Sequence, residues 1–249
     1  MEILGTTSYR KNPLIKSINH LFIRMRLLIF TFLFLVHLSL AAQYKEYKVA
    51  AIGFYNLENY FDTQDDPTIN DDDFTPNGRN QWTEALFQEK TTRLATVIRE
   101  LAELTPDGLA LLGVAEIENK EVLQKLVEHP LLADRQYQII HFDSPDRRGI
   151  DVGLLYQEKY FQPQESKALP LIIKDAKGER IYTRDILAVK GQLDGEEVHI
   201  LVNHWPSRRG GESASQHLRN AGAMVCKKYT DSVYAVSYTH LTLPTILLV

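Results

Sequence analysis

Asn56, Glu116 and His204 are the three side chains of this 249-residue sequence placed where chemistry could be built. Each closes an apolar run that reads as a strand: YKVAAIGFY before Asn56, LALLGVA before Glu116, and EVHILV before Asn203-His204. Polar groups carried on the ends of rigid strands are held to the tolerance a reaction centre needs. A carboxylate at the edge of a core strand must be hydrogen-bonded, paired or bound to a cation, because desolvation otherwise raises its pKa until it protonates. Glu116 is therefore a ligand for a hard divalent ion such as Mg²⁺, or else a structural ion pair or helix cap. Asn56 offers an amide oxygen to the same ion, or serves as a turn former after its strand. Glu58 and Asn59 stand close enough to compete for either role.

His204 opens the run HWPSRRGG. Histidine can donate to a phosphoryl oxygen or move a proton near neutral pH. The guanidiniums of Arg208 and Arg209 match phosphate geometry, and Gly210-Gly211 loosens the backbone behind them. The competing reading is a solvated basic loop. Asp146-Arg147-Arg148-Gly149-Ile150-Asp151 is a second charged loop, with Arg148 able to meet phosphate and Asp151 starting a strand. The acidic stretch Asp62–Asn80 lacks the spacing of an EF-hand and reads as a solvated turn-rich loop.

The elements that must position these groups follow from periodicity. Tyr47–Tyr55 is β-branched and aromatic, hence a strand. Thr83 caps a helix whose inner face is read as Leu86, Lys90, Leu94, Val97, Ile98 and Leu101, ending at Pro106. Leu109–Val114 is a buried strand, Lys120–Glu128 a short helix, and Tyr137–Phe142 and Asp151–Tyr156 further strands. Asp194-Gly195 is a hairpin turn between strands Ile181–Leu193 and Glu197–Val202. A helix over Ser213–Tyr229 follows. Alternating strands and helices with an antiparallel hairpin predict a layered α/β fold with mixed pairing.

Composition agrees with one sizeable core, at 44% hydrophobic and 24% charged residues. The net charge of −4 argues against a nonspecific nucleic-acid binder held by charge alone, though a metal ion can supply positive charge locally. The single cysteine, Cys226, forms no internal disulfide and reads as a small helix residue. Arg24 and Arg26 precede the apolar run 27–40 and Ala41-Ala42, the pattern of a secretory signal peptide. The expected organisation is an extension and signal over 1–42, a partial domain over 43–234, and a non-native read-through tail over 235–249. Export to the periplasm or medium follows, with no stable membrane span after cleavage. No protein partner is inferred, and a monomer is expected.

FYNLEN, PDGLALLGVAEIEN, SPDRRGIDVGLLY, TRDILAVKG and LVNHWPSRRGGE, in this order, resemble the endonuclease/exonuclease/phosphatase family of the deoxyribonuclease I-like superfamily. The resemblance covers Val49 to Tyr234 and is closest to exported bacterial members. It implies a four-layer sandwich of two mixed β-sheets flanked by helices, incomplete at the C-terminus. It implies Mg²⁺-dependent phosphodiester hydrolysis, with Mn²⁺ or Ca²⁺ as alternatives and nucleic acid as the leading substrate. Glu116 and Asn56 match the family's metal-binding positions, and His204 the histidine on the scissile phosphate. Arg148, Asn203 and Arg208 are expected at the substrate. The family's later Gly-Asp-x-Asn and Asp-His motifs do not occur in the sequence, so the chain as written is expected to be inactive. A phospholipid or sugar-phosphate phosphohydrolase of the same fold, or a noncatalytic relative, are the alternatives.

Overall fold

The computed structural model describes residues 21–34, 49–101, 103, 105–208 and 210–236. The chain divides into two compact units, Met1–Lys48 and Val49–Val249. In the first, residues 21–34 are helical and their large apolar side chains are exposed. Among the described residues no helix is long and apolar enough to cross a membrane. The rest of the expected signal run, Arg209 and most of the expected read-through tail lie outside the described residues.

The second unit begins with strand β1, Ala51–Tyr60, which pairs in parallel with β2, Leu109–Ile117. Parallel neighbours need a long crossover, and helix α1, Glu84–Glu100, supplies it. The Thr83 hydroxyl accepts the Leu86 N–H and caps that helix as expected. Its inward face is Phe87, Thr91, Leu94, Ala95 and Ile98. The face read from sequence was rotated: Leu86 and Val97 are exposed, because Phe87 stacks on Tyr60 and draws the helix round by one residue. The Tyr60 hydroxyl and Thr91 Oγ1 then meet at 2.8 Å inside the core.

Helix α2, Lys120–Val127, is capped by Asn119, whose side-chain Oδ1 accepts the Val122 N–H, and packs Val122, Leu123, Leu126 and Val127 beneath the same sheet. Strands β3, Gln138–His141, and β4, Asp151–Tyr156, complete a four-stranded sheet in the order β1-β2-β4-β3. The β2–β4 and β3–β4 pairs are antiparallel, so this sheet is mixed. Both faces of β2 are buried, which is why it reads as an unbroken apolar run.

A second sheet follows, β5-β8-β9, antiparallel throughout. Its strands are β5 Phe161–Leu169, β8 Ile186–Leu193 and β9 Glu196–Val202. A short hairpin, β6 Ile173–Lys174 with β7 Arg180–Ile181, stands between β5 and β8. The sheets meet through Leu111, Ala115, Val152, Leu154 and Tyr156 on one side and Phe161, Leu187, Val189 and Val202 on the other. Gly113 permits the close approach: a Cβ there would stand 3.3 Å from Val202. Helix α3, Glu212–Val236, lies on the outer face of the second sheet, where Tyr229 meets His199 of β9. The layers are therefore helices, mixed sheet, antiparallel sheet and helix.

Candidate active site

β1 and β2 run parallel, so their C-terminal ends arrive together, with Asn56 opposite Ala115. Beyond that pair β1 spends four residues, to Tyr60, while β2 spends two, to Ile117. The surplus forms a bulge in which Glu58 and Asn59 have φ of 54° and 59°. Glu116 on β2 also has a positive φ, 58°. Left-handed backbone at a non-glycine residue costs about 1–2 kcal/mol and persists only where the surroundings hold it. Here Lys90 Nζ donates to the carbonyls of Glu58 and Asn59, at 2.5 and 3.2 Å. The Asn59 N–H donates in turn to Glu116 Oε2 at 3.1 Å. The strained turn thus aims a carboxylate out of the strand end and fastens one of its oxygens.

The other oxygen, Glu116 Oε1, lies 3.3 Å from His204 Nε2. His204 follows β9, so the contact joins the two sheets at one end of the sandwich. Its backbone is held by Arg184, a buried guanidinium in the irregular stretch before β8. Arg184 Nε donates to the His204 carbonyl at 3.1 Å and Nη2 to the Trp205 carbonyl at 2.9 Å. Its Nη1 donates to Asp146 Oδ2 at 2.9 Å, in an ion pair buried on both sides. Burial first, then the Arg184 charge, hold the His204 pKa down to about 4, so the ring is neutral at pH 7. His204 Nδ1 is buried with no hydrogen-bond partner among the described residues.

The remaining expected site residues fall in different places. Asn56 Oδ1 accepts the Glu58 N–H at 2.8 Å, a turn-forming bond that opens the bulge. Arg148 is exposed, and its Nε and backbone N–H approach Asp146 Oδ1 at 3.5 and 2.9 Å. Asp146 thereby links Arg148 to Arg184 and His204. Asn203 turns away: its amide donates to the Leu201 carbonyl, and Oδ1 accepts from Trp205 Nε1 and Cys226 Sγ. Arg208 is exposed, with its carbonyl accepting the Gly211 N–H.

Several contributors were not singled out by the sequence. Arg184 stands within TRDILAVKG without periodicity to mark it, and Lys90 reads from sequence as an apolar stem. Glu118, two residues past Glu116, is buried and accepts the Asp62 N–H at 2.7 Å. Burial, with the Asp62, Asp71 and Asp66 charges around it, pushes its carboxyl up to about 8, so it stays protonated at pH 7. His141, Asp143 and Asp151 form a further group whose ligand atoms lie within 4.8 Å of one another. Its donors suit a divalent metal ion. Both Asp151 oxygens are already engaged, Oδ2 by His141 Nε2 at 3.0 Å and Oδ1 by the Ser144 N–H at 2.9 Å and its hydroxyl. An ion there would have to displace those bonds.

The model of the endonuclease/exonuclease/phosphatase family matches residues 51–239, which include every element of this site. The chain belongs to that family. No curated protein sequence matches it. Among solved structures it is similar to the endonuclease/exonuclease/phosphatase from Bacteroides vulgatus, at 18% identity and TM-score 0.46, over 73% of this chain and 59% of that one. A humanized D. rerio TDP2 matches at 14% identity and TM-score 0.41, over 67% of this chain and 51% of that one. The human Nocturnin catalytic domain matches at 17% identity and TM-score 0.39, over 52% and 48%. The chain thus spans about half to three-fifths of the length of these structures.

Metal-dependent phosphoesterases are the class to which the endonuclease/exonuclease/phosphatase family corresponds. The residues present fit a hard cation. Glu116 brings a carboxylate to the strand end and Asn56 an amide oxygen on the paired strand, and as in the His141 group an ion would displace bonds that these oxygens already make. Oxygen donors of this kind are what Mg²⁺ takes from a protein, leaving its other positions to water and phosphate.

Proposed function

We propose that the protein is a metal-dependent phosphodiesterase, of endonuclease-like type, acting at the end of the sandwich where β1, β2 and β9 converge. The observation that carries this reading is the 3.3 Å contact of Glu116 with His204, made between two sheets and held by a strained bulge and a buried arginine. A divalent ion, Mg²⁺ or in its place Mn²⁺ or Ca²⁺, held by Glu116 with Asn56, would neutralise charge on the phosphoryl and leaving oxygens. His204, uncharged at pH 7, can accept a proton from a water or donate one hydrogen bond to a phosphoryl oxygen. Arg184 holds its position through the backbone carbonyl, while the ring's Nε2 faces Glu116. Arg148, exposed beside Asp146, offers a guanidinium to the incoming phosphate. Arg208, exposed in the loop that follows His204, is proposed as a second guanidinium for the substrate.

Nucleic acid is the substrate class proposed, and the basic and apolar pattern of residues 24–40 supports a proposal of export. The test uses the product of the whole reading frame, with DNA, RNA and bis-p-nitrophenyl phosphate as substrates in Mg²⁺. Glu116→Ala and His204→Ala should each lower turnover by about 10²- to 10⁴-fold. Turnover unchanged by EDTA, or by both substitutions, would remove the proposal.

A further inference from the structure

Tyr182 is 43% exposed and has two guanidiniums near its ring. Arg147 Cζ lies over its ring 5.4 Å from the centroid, and Arg180 Cζ lies 5.0 Å from it. Both arginines are exposed, and neither has a carboxylate within 4.0 Å among the described residues. The Tyr182 hydroxyl has no hydrogen bond among the described residues either. The Arg180 charge reaches the Asp185 carboxylate, but neither arginine is locked in a close ion pair, so both keep charge available to an incoming anion.

The group is tied to the candidate active site from both directions. Tyr182 precedes Arg184 by two residues, at most about 7 Å of extended chain. Arg147 lies between Asp146, which pairs with Arg184, and Arg148. Its carbonyl accepts the Asn70 N–H at 2.9 Å, which pins the loop. Arg180 comes from the β6–β7 hairpin, whose turn is closed by Asp175: its Oδ1 accepts the Lys177 and Glu179 N–H groups at 2.8 and 2.9 Å. The ring and its cations are thus carried on fixed backbone.

We propose that Tyr182, with Arg147 and Arg180, is a docking platform for an unpaired nucleotide that flanks the phosphate at Glu116 and His204. The proposal rests on the phosphodiesterase reading above and names the part of the substrate it would grip. Aromatic rings and guanidinium planes both stack on bases, and free guanidiniums hold the backbone phosphates on either side. The hairpin argues against a lipid surface as the occupant. A hairpin that enters a membrane needs apolar residues at its tip, and this tip is Asp175-Ala176-Lys177-Gly178-Glu179. With a net charge of −4 on the whole chain, attraction of a polyanion must be local, and this is a local cluster of cations.

The test is fluorescence anisotropy of a labelled single-stranded oligonucleotide with the full chain, in EDTA so that nothing turns over. Tyr182→Ala should weaken binding about 5- to 150-fold, the effect of losing one base–aromatic stack. Tyr182→Phe should retain binding, which separates loss of the ring from loss of the fold. An abasic strand of equal charge should bind weakly to the parent and be indifferent to Tyr182→Ala. Arg147→Ala and Arg180→Ala should each reduce the slope of log K against log salt by about 0.7. Equal binding of Tyr182→Ala and the parent would overturn the proposal. So would Tyr182-dependent binding to phosphatidylserine vesicles without binding to the oligonucleotide. Tyr182-dependent binding with no hydrolysis by the whole gene product would keep the platform and remove the enzyme reading instead.

Discussion

Arg184→Met removes the guanidinium that joins the Asp146 loop to the His204 backbone. Its aliphatic stem is kept, so the change falls mainly on the guanidinium's charge and hydrogen bonds. Three hydrogen bonds are lost, to Asp146 Oδ2, the His204 carbonyl and the Trp205 carbonyl. Asp146 is 6% exposed, so its carboxylate stays buried with only the more exposed Arg148 at 3.5 Å as a counter-charge. Breaking a buried pair from one side costs about 3–5 kcal/mol. Arg148 and the Arg148 N–H still serve Asp146 Oδ1, which places the expected loss near 3 kcal/mol, a large share of the 5–15 kcal/mol that holds a domain of ordinary stability. The assay is urea denaturation of the full chain, comparing midpoints at constant slope. In a double-mutant cycle with Asp146→Asn, the coupling should be about 1–3 kcal/mol. A loss under about 1 kcal/mol, or strict additivity, would refute the claim that this pair holds His204 in place.

Other consequences can be measured independently. Gly149→Ala should cost about 1–3 kcal/mol, since φ there is 66° and a Cβ would stand 2.2 Å from Ile69 Cδ1. Adding Ile69→Ala should recover part of the loss and leave the φ penalty. Thr83→Ala should cost about 0.5–1 kcal/mol of helix capping, the lower part of the usual range because its hydrogen bond is 3.4 Å long. The His204 pKa lies below the ordinary 6.5, at about 4, so the native state prefers the neutral ring. Its contribution to stability is complete above pH 6.5 and is lost as pH falls through about 4. Denaturation midpoints from pH 7 to 4 should fall more steeply in the parent than in His204→Gln, and parallel profiles would contradict this.

The apolar strands and the helix cap were legible because burial and capping leave local marks. β2 and β4 are buried on both faces and show it as runs of Leu, Val and Ile. β5 escaped because it is an edge strand with its middle six residues, Gln162 to Lys167, exposed, and its Pro163 sits beside a bulge where a missing N–H costs little. The strand expected from Ile181 begins only at Ile186, because Thr183, Arg184 and Asp185 leave the ladder to serve the site and its surroundings. β1 runs past Asn56 to Tyr60 because the Lys90 ammonium, distant in sequence, stabilises the bulge carbonyls. Lys90 was read as an apolar stem on the inner face, and its ammonium's tertiary role left no mark in the sequence. Asn56, Glu116 and His204 were read at strand ends; Glu116 lies one residue before the end of β2 and His204 just past β9, whereas Asn56 lies inside β1. Arg184 and Asp146 lie in TRDILAVKG and SPDRRGIDVGLLY, but their pairing was not read, since a buried ion pair between distant loops leaves no spacing to mark it.

Whether the cation sits on Glu116 or on the His141 group is settled most directly by titrating Mn²⁺ into the full chain and reading water-proton relaxation. Glu116→Gln should abolish the tightest binding, and Asp151→Asn should leave it in place. Binding that survives Glu116→Gln and disappears with Asp151→Asn would move the metal to His141, Asp143 and Asp151, and would contradict the site drawn here.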